Sequence, residues 1–132
     1  MGIDNFSHKT DRGERKHFPI RFDKYKSNNH SFYEMDYQKY FAEIHDGTIG
    51  FYIYDGLHRY KNQLEALQVA EPYFGENCII FIDDTNGTEP RGATLDFIAQ
   101  SENKYRILLN RQTAGKMHPT LWEGVIVFQK VG

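Results

Sequence analysis

The chain has 132 residues and a formal net charge of −2, with 26% charged and 15% aromatic residues. That length suits one domain; ten Phe and nine Tyr argue against global disorder, and the near-neutral balance argues against a general nucleic-acid binder, which concentrates Lys and Arg. The longest apolar runs, 78–82 and 125–128, are too short to span a bilayer, no charged start leads into an apolar signal segment, and the single Cys78 fits a reducing, cytoplasmic setting.

Residues 8–30 are basic, with four Lys and three Arg against Asp11, Glu14 and Asp23. Their apolar surface is limited to Phe18, Ile20, Phe22 and Tyr25. The alternation of Phe18, Ile20 and Phe22 allows a short strand, which Pro19 confines to an edge. The broader expectation is a long mobile loop or a poorly packed helix, a solvated connection rather than a phosphate-binding arm.

From residue 31 the pattern is regular. Ser31–Met35 reads as a short strand, and Asp36 stands where an N-cap belongs. Tyr37, Tyr40, Phe41 and Ile44 then recur as one face of a helix that Gly47 ends. The run Ile49–Tyr54 is apolar throughout, as expected of a strand covered on both faces. Leu64, Leu67 and Ala70 mark a helix over 59–71, closed by Pro72 and Gly75. Cys78–Ile82 is a second apolar strand, and Ala93, Phe97 and Ile98 point a helix near 91–101 at the core. Two final strands, Tyr105–Asn110 and Gly124–Lys130, have no helix between them and should pair antiparallel. The alternation of strands and helices before them implies a mostly parallel sheet with right-handed crossovers.

Ligands bind such sheets at the carboxyl ends of the strands. Each strand here ends on acid: Asp36 after the first, Asp55-Gly56-Leu57-His58 after the second, Asp83-Asp84-Thr85-Asn86 after the third. Crowded carboxylates repel and raise one another's pKa, and a divalent cation removes that repulsion. Asp55, Asp83 and Asp84 are hard oxygen donors suited to Mg²⁺, Mn²⁺ or Ca²⁺, and His58 is near enough in sequence to take a proton from a bound hydroxyl. The competing reading is structural, with Asp55-Gly56 a plain turn and Asp83 or Asp84 capping the next helix.

The segments YDGLHRY, EPYF, CIIFIDD, RGATLDFI and LWEGVIVF together resemble the class I S-adenosylmethionine-dependent methyltransferases. The likeness is to the metal-dependent O-methyltransferase branch, with its Asp-Gly-x-His turn after strand four and Asp-Asp pair after strand five. It implies Asp55, Asp83 and Asp84 as ligands of a divalent metal, with Mg²⁺ the expected ion, and His58 as the base. GIDNFS at 2–7 resembles the end of the family's strand two, which implies that Asp4 meets the cofactor's ribose hydroxyls; Asp36 resembles the position flanking the adenine. The family's Gly-rich turn after strand one has no counterpart, and no later G-x-G-x-x-G replaces it. Leu57 also stands where some relatives carry a second acid.

The resemblance therefore implies a truncated Rossmann-like fold in one domain over residues 1–132, with strand order 3-4-5-7-6 in the family's numbering and an antiparallel C-terminal hairpin. The implied activity is methyl transfer from S-adenosylmethionine to a hydroxyl of a small molecule or sugar, incomplete in the isolated chain. One alternative is a non-enzymatic remnant or interaction module that forms a homodimer through an exposed strand edge. Another is a metal-dependent hydrolase using the same Asp/His cluster, for which Arg59 and Arg91 are the available anion clamps. The loop Gly115–Pro119, carrying Lys116 and His118, reads as a lid or as a plain hairpin connection.

Overall fold

The structure, a computed structural model, describes residues 1–7, 12–115, 118–121 and 123–132. Lys116 of the expected lid lies outside them. The chain divides into two compact units, Met1–His45 and Asp46–Gly132.

In the first unit, β1 (Gly2–Asp4) pairs in parallel with β2 (Phe32–Glu34), and between them runs helix α1 (Arg12–Tyr25). The short strand envisaged at Phe18–Phe22 is thus helical. Phe18 and Phe22 lie four residues apart on one helix face. The Phe18 ring stands 4.5 Å from that of Phe32, and Phe6 meets both Phe18 and Phe32. Ile20, on another face, is 66% exposed, so α1 is lightly packed, as its composition implied. Helix α2 (Tyr37–Glu43) starts as read: the Asp36 carboxylate accepts from the Gln38 backbone N–H at 2.9 Å. Tyr40 and Phe41 are its buried residues.

The second unit holds β3 (Ile49–Tyr54), α3 (Tyr60–Ala70), a 3-10 turn (Glu71–Tyr73), β4 (Phe74–Asp83), α4 (Thr88–Gln100), β5 (Tyr105–Arg111) and β6 (Val125–Lys130). The sheet order is β3-β4-β6-β5, with β3 and β4 parallel and β6 antiparallel to both β4 and β5. This corrects the expected 3-4-5-7-6 order at one position. The strand after residue 31 pairs with the N-terminal GID segment rather than with β3, so the larger sheet runs 4-5-7-6 in the family's numbering. Three residues of strand carry no side-chain pattern long enough to choose between those two neighbours.

Helices α3 and α4 bury matched stripes, Gln63, Ala66, Leu67 and Ala70 on one and Pro90, Ala93, Thr94 and Phe97 on the other. Both stripes follow the i, i+3, i+4, i+7 spacing of a single helical face. Beneath them lie Cys78, Ile80, Ile82, Ile126 and Phe128, all fully buried. The opposite face is barer. Phe51 is 59% and Ile53 53% exposed, so the apolar run Ile49–Tyr54 is covered on one side only, contrary to its reading as a doubly covered strand. Among the described residues no helix is long and apolar enough to cross a membrane.

Candidate active site

Strands β3 and β4 are parallel neighbours, so their carboxyl ends lie side by side, with Tyr54 opposite Ile82. At the end of β3 the chain turns sharply against the buried Tyr54 ring. A Cβ at Gly56 would fall 2.6 Å from that ring, so only glycine fits the turn. The Tyr54 hydroxyl donates to the Leu57 carbonyl at 3.4 Å, and the turn delivers Asp55 and His58 to the same side.

At the end of β4 stand Asp83 and Asp84. Neither caps α4, whose N-cap is Gly87 with no side-chain hydrogen bond, so that structural reading of the pair falls. All three acids converge instead on one nitrogen. His58 Nε2 lies 3.7 Å from Asp55 Oδ1, 3.7 Å from Asp83 Oδ1 and 3.6 Å from Asp84 Oδ2. The other ring nitrogen, Nδ1, sits 3.3 Å from Oε1 of the fully buried Gln63.

The electrostatics follow from that packing. The Asp55 carboxylate does most to raise the His58 pKa above its usual value, against burial, with Gln63, Asp83 and Asp84 adding to the rise. Burial, followed by the charges of Asp55 and Asp84, pushes Asp83 up to about 6. Asp83 Oδ1 and Asp84 Oδ1 are buried atoms with no hydrogen-bond partner among the described residues. One ligand atom each from Asp55, His58 and Asp83 lie within 4.8 Å of one another. Donors that hold a cation at about 2.0–2.6 Å have that spacing, and a carboxylate oxygen without a donor fits a cation. The residues present therefore fit a divalent metal.

The remaining expected residues are placed as follows. Asp4 is the last residue of β1, and Asp36 lies just beyond its parallel neighbour β2 in the first unit. Asp4 Oδ1 accepts from the Phe6 backbone N–H at 2.7 Å, and Asp36 Oδ2 accepts from Asn5 at 3.4 Å besides capping α2. Arg59 is bound to Glu89 at 2.9 Å, whereas the buried Nη1 of Arg91 has no partner among the described residues. His118 is exposed and its Nδ1 accepts from the backbone N–H groups of Thr120 and Leu121, a turn contact. The sequence reading missed Gln63, and the available signal was a polar residue at the first position of the α3 core stripe. It also missed Asn86, which fastens the turn after β4 to Thr113.

The methyltransferase-domain family matches residues 1–85. The chain belongs to that family, within the class I S-adenosylmethionine-dependent methyltransferase superfamily. No curated protein matches it in sequence. Solved structures share its fold at low identity. A Streptococcus mutans protein assigned to the methyltransferases, solved with SAH, superposes at a TM-score of 0.68 with 10% identity, over 98% of this chain and 88% of that one. A Klebsiella pneumoniae protein assigned as an O-methyltransferase gives 0.65 and 11%, over 98% of this chain and 60% of the other. The apo form of CalS11, a TDP-rhamnose 3'-O-methyltransferase of calicheamicin biosynthesis, gives 0.61 and 15%, over 99% and 57%.

Proposed function

We propose that the chain carries the acceptor side of a metal-dependent O-methyltransferase acting on a hydroxyl of a small molecule or sugar. The observation that carries this reading is the convergence of three carboxylates and one imidazole at the ends of β3 and β4, in a chain of the methyltransferase-domain family. When bound, S-adenosylmethionine supplies a methyl group on a sulfonium sulfur, and a divalent cation supplies a Lewis acid for the acceptor oxygen.

The residues of the chain then have separate tasks. Asp55, Asp83 and Asp84 would hold the cation, and His58 Nε2 would take the proton of the acceptor hydroxyl. Asp4 binds the cofactor's ribose hydroxyls, and Asp36 flanks the adenine. Most of the rate comes from aligning oxygen, methyl carbon and sulfur, a matter of positioning.

Calorimetry of S-adenosylmethionine binding with and without Mg²⁺ tests the reading. Mg²⁺-dependent binding is expected, with Asp83→Asn weakening Mg²⁺ while the chain stays folded. An unchanged Mg²⁺ affinity in Asp83→Asn removes the metal site. A second reading, a binding module that keeps the fold without the reaction, is supported by the exposed Phe51 and Ile53 on edge strand β3. Absent cofactor binding together with concentration-dependent dimerisation selects it.

A further inference from the structure

Gln63 sits at the first position of the α3 core stripe, where the next three members are Ala66, Leu67 and Ala70. It is fully buried, and its Nε2 has no hydrogen-bond partner among the described residues. A buried amide N–H group without a partner destabilises a fold, and an apolar side chain of similar length would avoid that cost. What the glutamine gains is one contact, Oε1 against His58 Nδ1 at 3.3 Å. That contact lies on the opposite side of the imidazole from the three carboxylates.

The geometry points to Gln63 as the positioning residue of His58: its carbonyl oxygen holds the Nδ1 proton, so that Nε2 is the nitrogen presented to Asp55, Asp83, Asp84 and the reacting hydroxyl. An imidazole has two nitrogens and can present either after a ring flip; the partner of one decides the task of the other. In the tautomer this contact selects, Nδ1 carries the proton and the Gln63 carbonyl oxygen accepts it. The local cost at Gln63 is then explained by the task of its neighbour, in the way that rules of core packing are broken at functional sites. This inference rests on the reading of His58 as the base, and its test separates the two.

The test is imidazole N–H detection by nitrogen-resolved NMR on the whole metal-free chain, mildly acidic so that the ring carries both protons. In the wild type, His58 Nδ1–H is expected as a slowly exchanging signal. Gln63→Met should lose that protection while the amide spectrum stays folded, and Gln63→Glu, which keeps the acceptor oxygen, should retain it. A wild-type Nδ1–H that exchanges as fast as in free imidazole overturns the inference, and so does protection that survives in Gln63→Met. The wild-type spectrum alone decides if the methionine variant fails to fold. A parallel Mg²⁺ titration of the wild type reports on the metal: no binding beside a protected Nδ1–H ends the metal reading and leaves Gln63 in its role.

Discussion

Asp83 and Asp84 are consecutive, yet each brings a carboxylate oxygen to within 3.7 Å of the same atom, His58 Nε2. Successive side chains of a strand point to opposite faces, so an extended backbone could not do this. The alternation is broken at Asp84, whose φ of 51° lies in the left-handed region. A non-glycine residue there is strained, and the strain is what lets two neighbouring acids share one target.

Asp84→Gly should therefore separate stability from binding. Glycine adopts that φ freely and removes one of the crowded charges, so the metal-free protein should gain about 1 kcal/mol. Mg²⁺ affinity should fall in the same variant. Urea denaturation and calorimetry on one preparation check both, and a variant that loses stability while keeping its Mg²⁺ affinity contradicts the account.

The metal-free protein should lose stability as pH rises. Asp83 has a folded pKa of about 6 against 3.8 for the free side chain, so folding favours its protonated form. That contribution is complete below about pH 4 and is lost as pH climbs through about 6, on the order of 2 kcal/mol. His58, also raised, adds a contribution that is complete below 6.5 and lost above its folded value. Melting in chelator across pH 4–8 should show the decline, flattened around pH 4–6 in Asp83→Asn. With Mg²⁺ present the gain in melting temperature should grow with pH, because ligands must shed protons to bind.

Asn86 should matter more than an ordinary loop residue. Its Nδ2 donates to the Thr113 carbonyl at 3.1 Å and hydroxyl at 2.8 Å, and its Oδ1 accepts from the Thr113 backbone N–H at 2.9 Å. Asn86→Ala leaves these partners unsatisfied and should cost about 1–3 kcal/mol. Amide exchange at Thr113 should accelerate with it; an unchanged rate there would show that the clamp is not what holds the connection.

Cys78 should be inert in the folded protein. It is fully buried in β4, and burial pushes its thiol up to about 11. Only the thiolate reacts, so a disulfide reagent near neutral pH should modify the native chain no faster than it opens, and the denatured chain at once. Rapid labelling of native protein would place Cys78 outside the core.

The helices after residue 31 were readable because each carries a period long enough to be unambiguous, as in Tyr40 and Phe41 on α2 or Ala93 and Phe97 on α4. Helix α1 was not, because Phe18, Ile20 and Phe22 also satisfy the two-residue period of a strand and Pro19 argues against a helix interior. Only contact with Phe6 and Phe32 selects the Phe18–Phe22 face. Asp55, His58, Asp83 and Asp84 were legible from their place after strands. Gln63 was hidden by the same logic, since a stripe read for apolar residues passes over the polar one and settles on Leu64. The partner of β2 was hidden because pairing is a long-range choice that three residues do not encode.

Glu71 marks the other end of the sheet. Just ahead of β4, its Oε1 accepts from the Ser101 hydroxyl, from Asn103 Nδ2 at 3.0 Å and from the Tyr105 hydroxyl at 2.7 Å. Lys130 Nζ adds a bond to the Phe74 carbonyl at 2.9 Å. At the far end of the same strand, Asp83 Oδ1, Asp84 Oδ1 and Thr85 Oγ1 are buried without such partners among the described residues. Rigidity and chemical readiness are thus set at opposite poles of β4: one anchored, the other held in electrostatic tension that an incoming cation relieves. A graded opening along the strand follows, in which the carboxyl end can rearrange around a ligand while the amino end keeps the register.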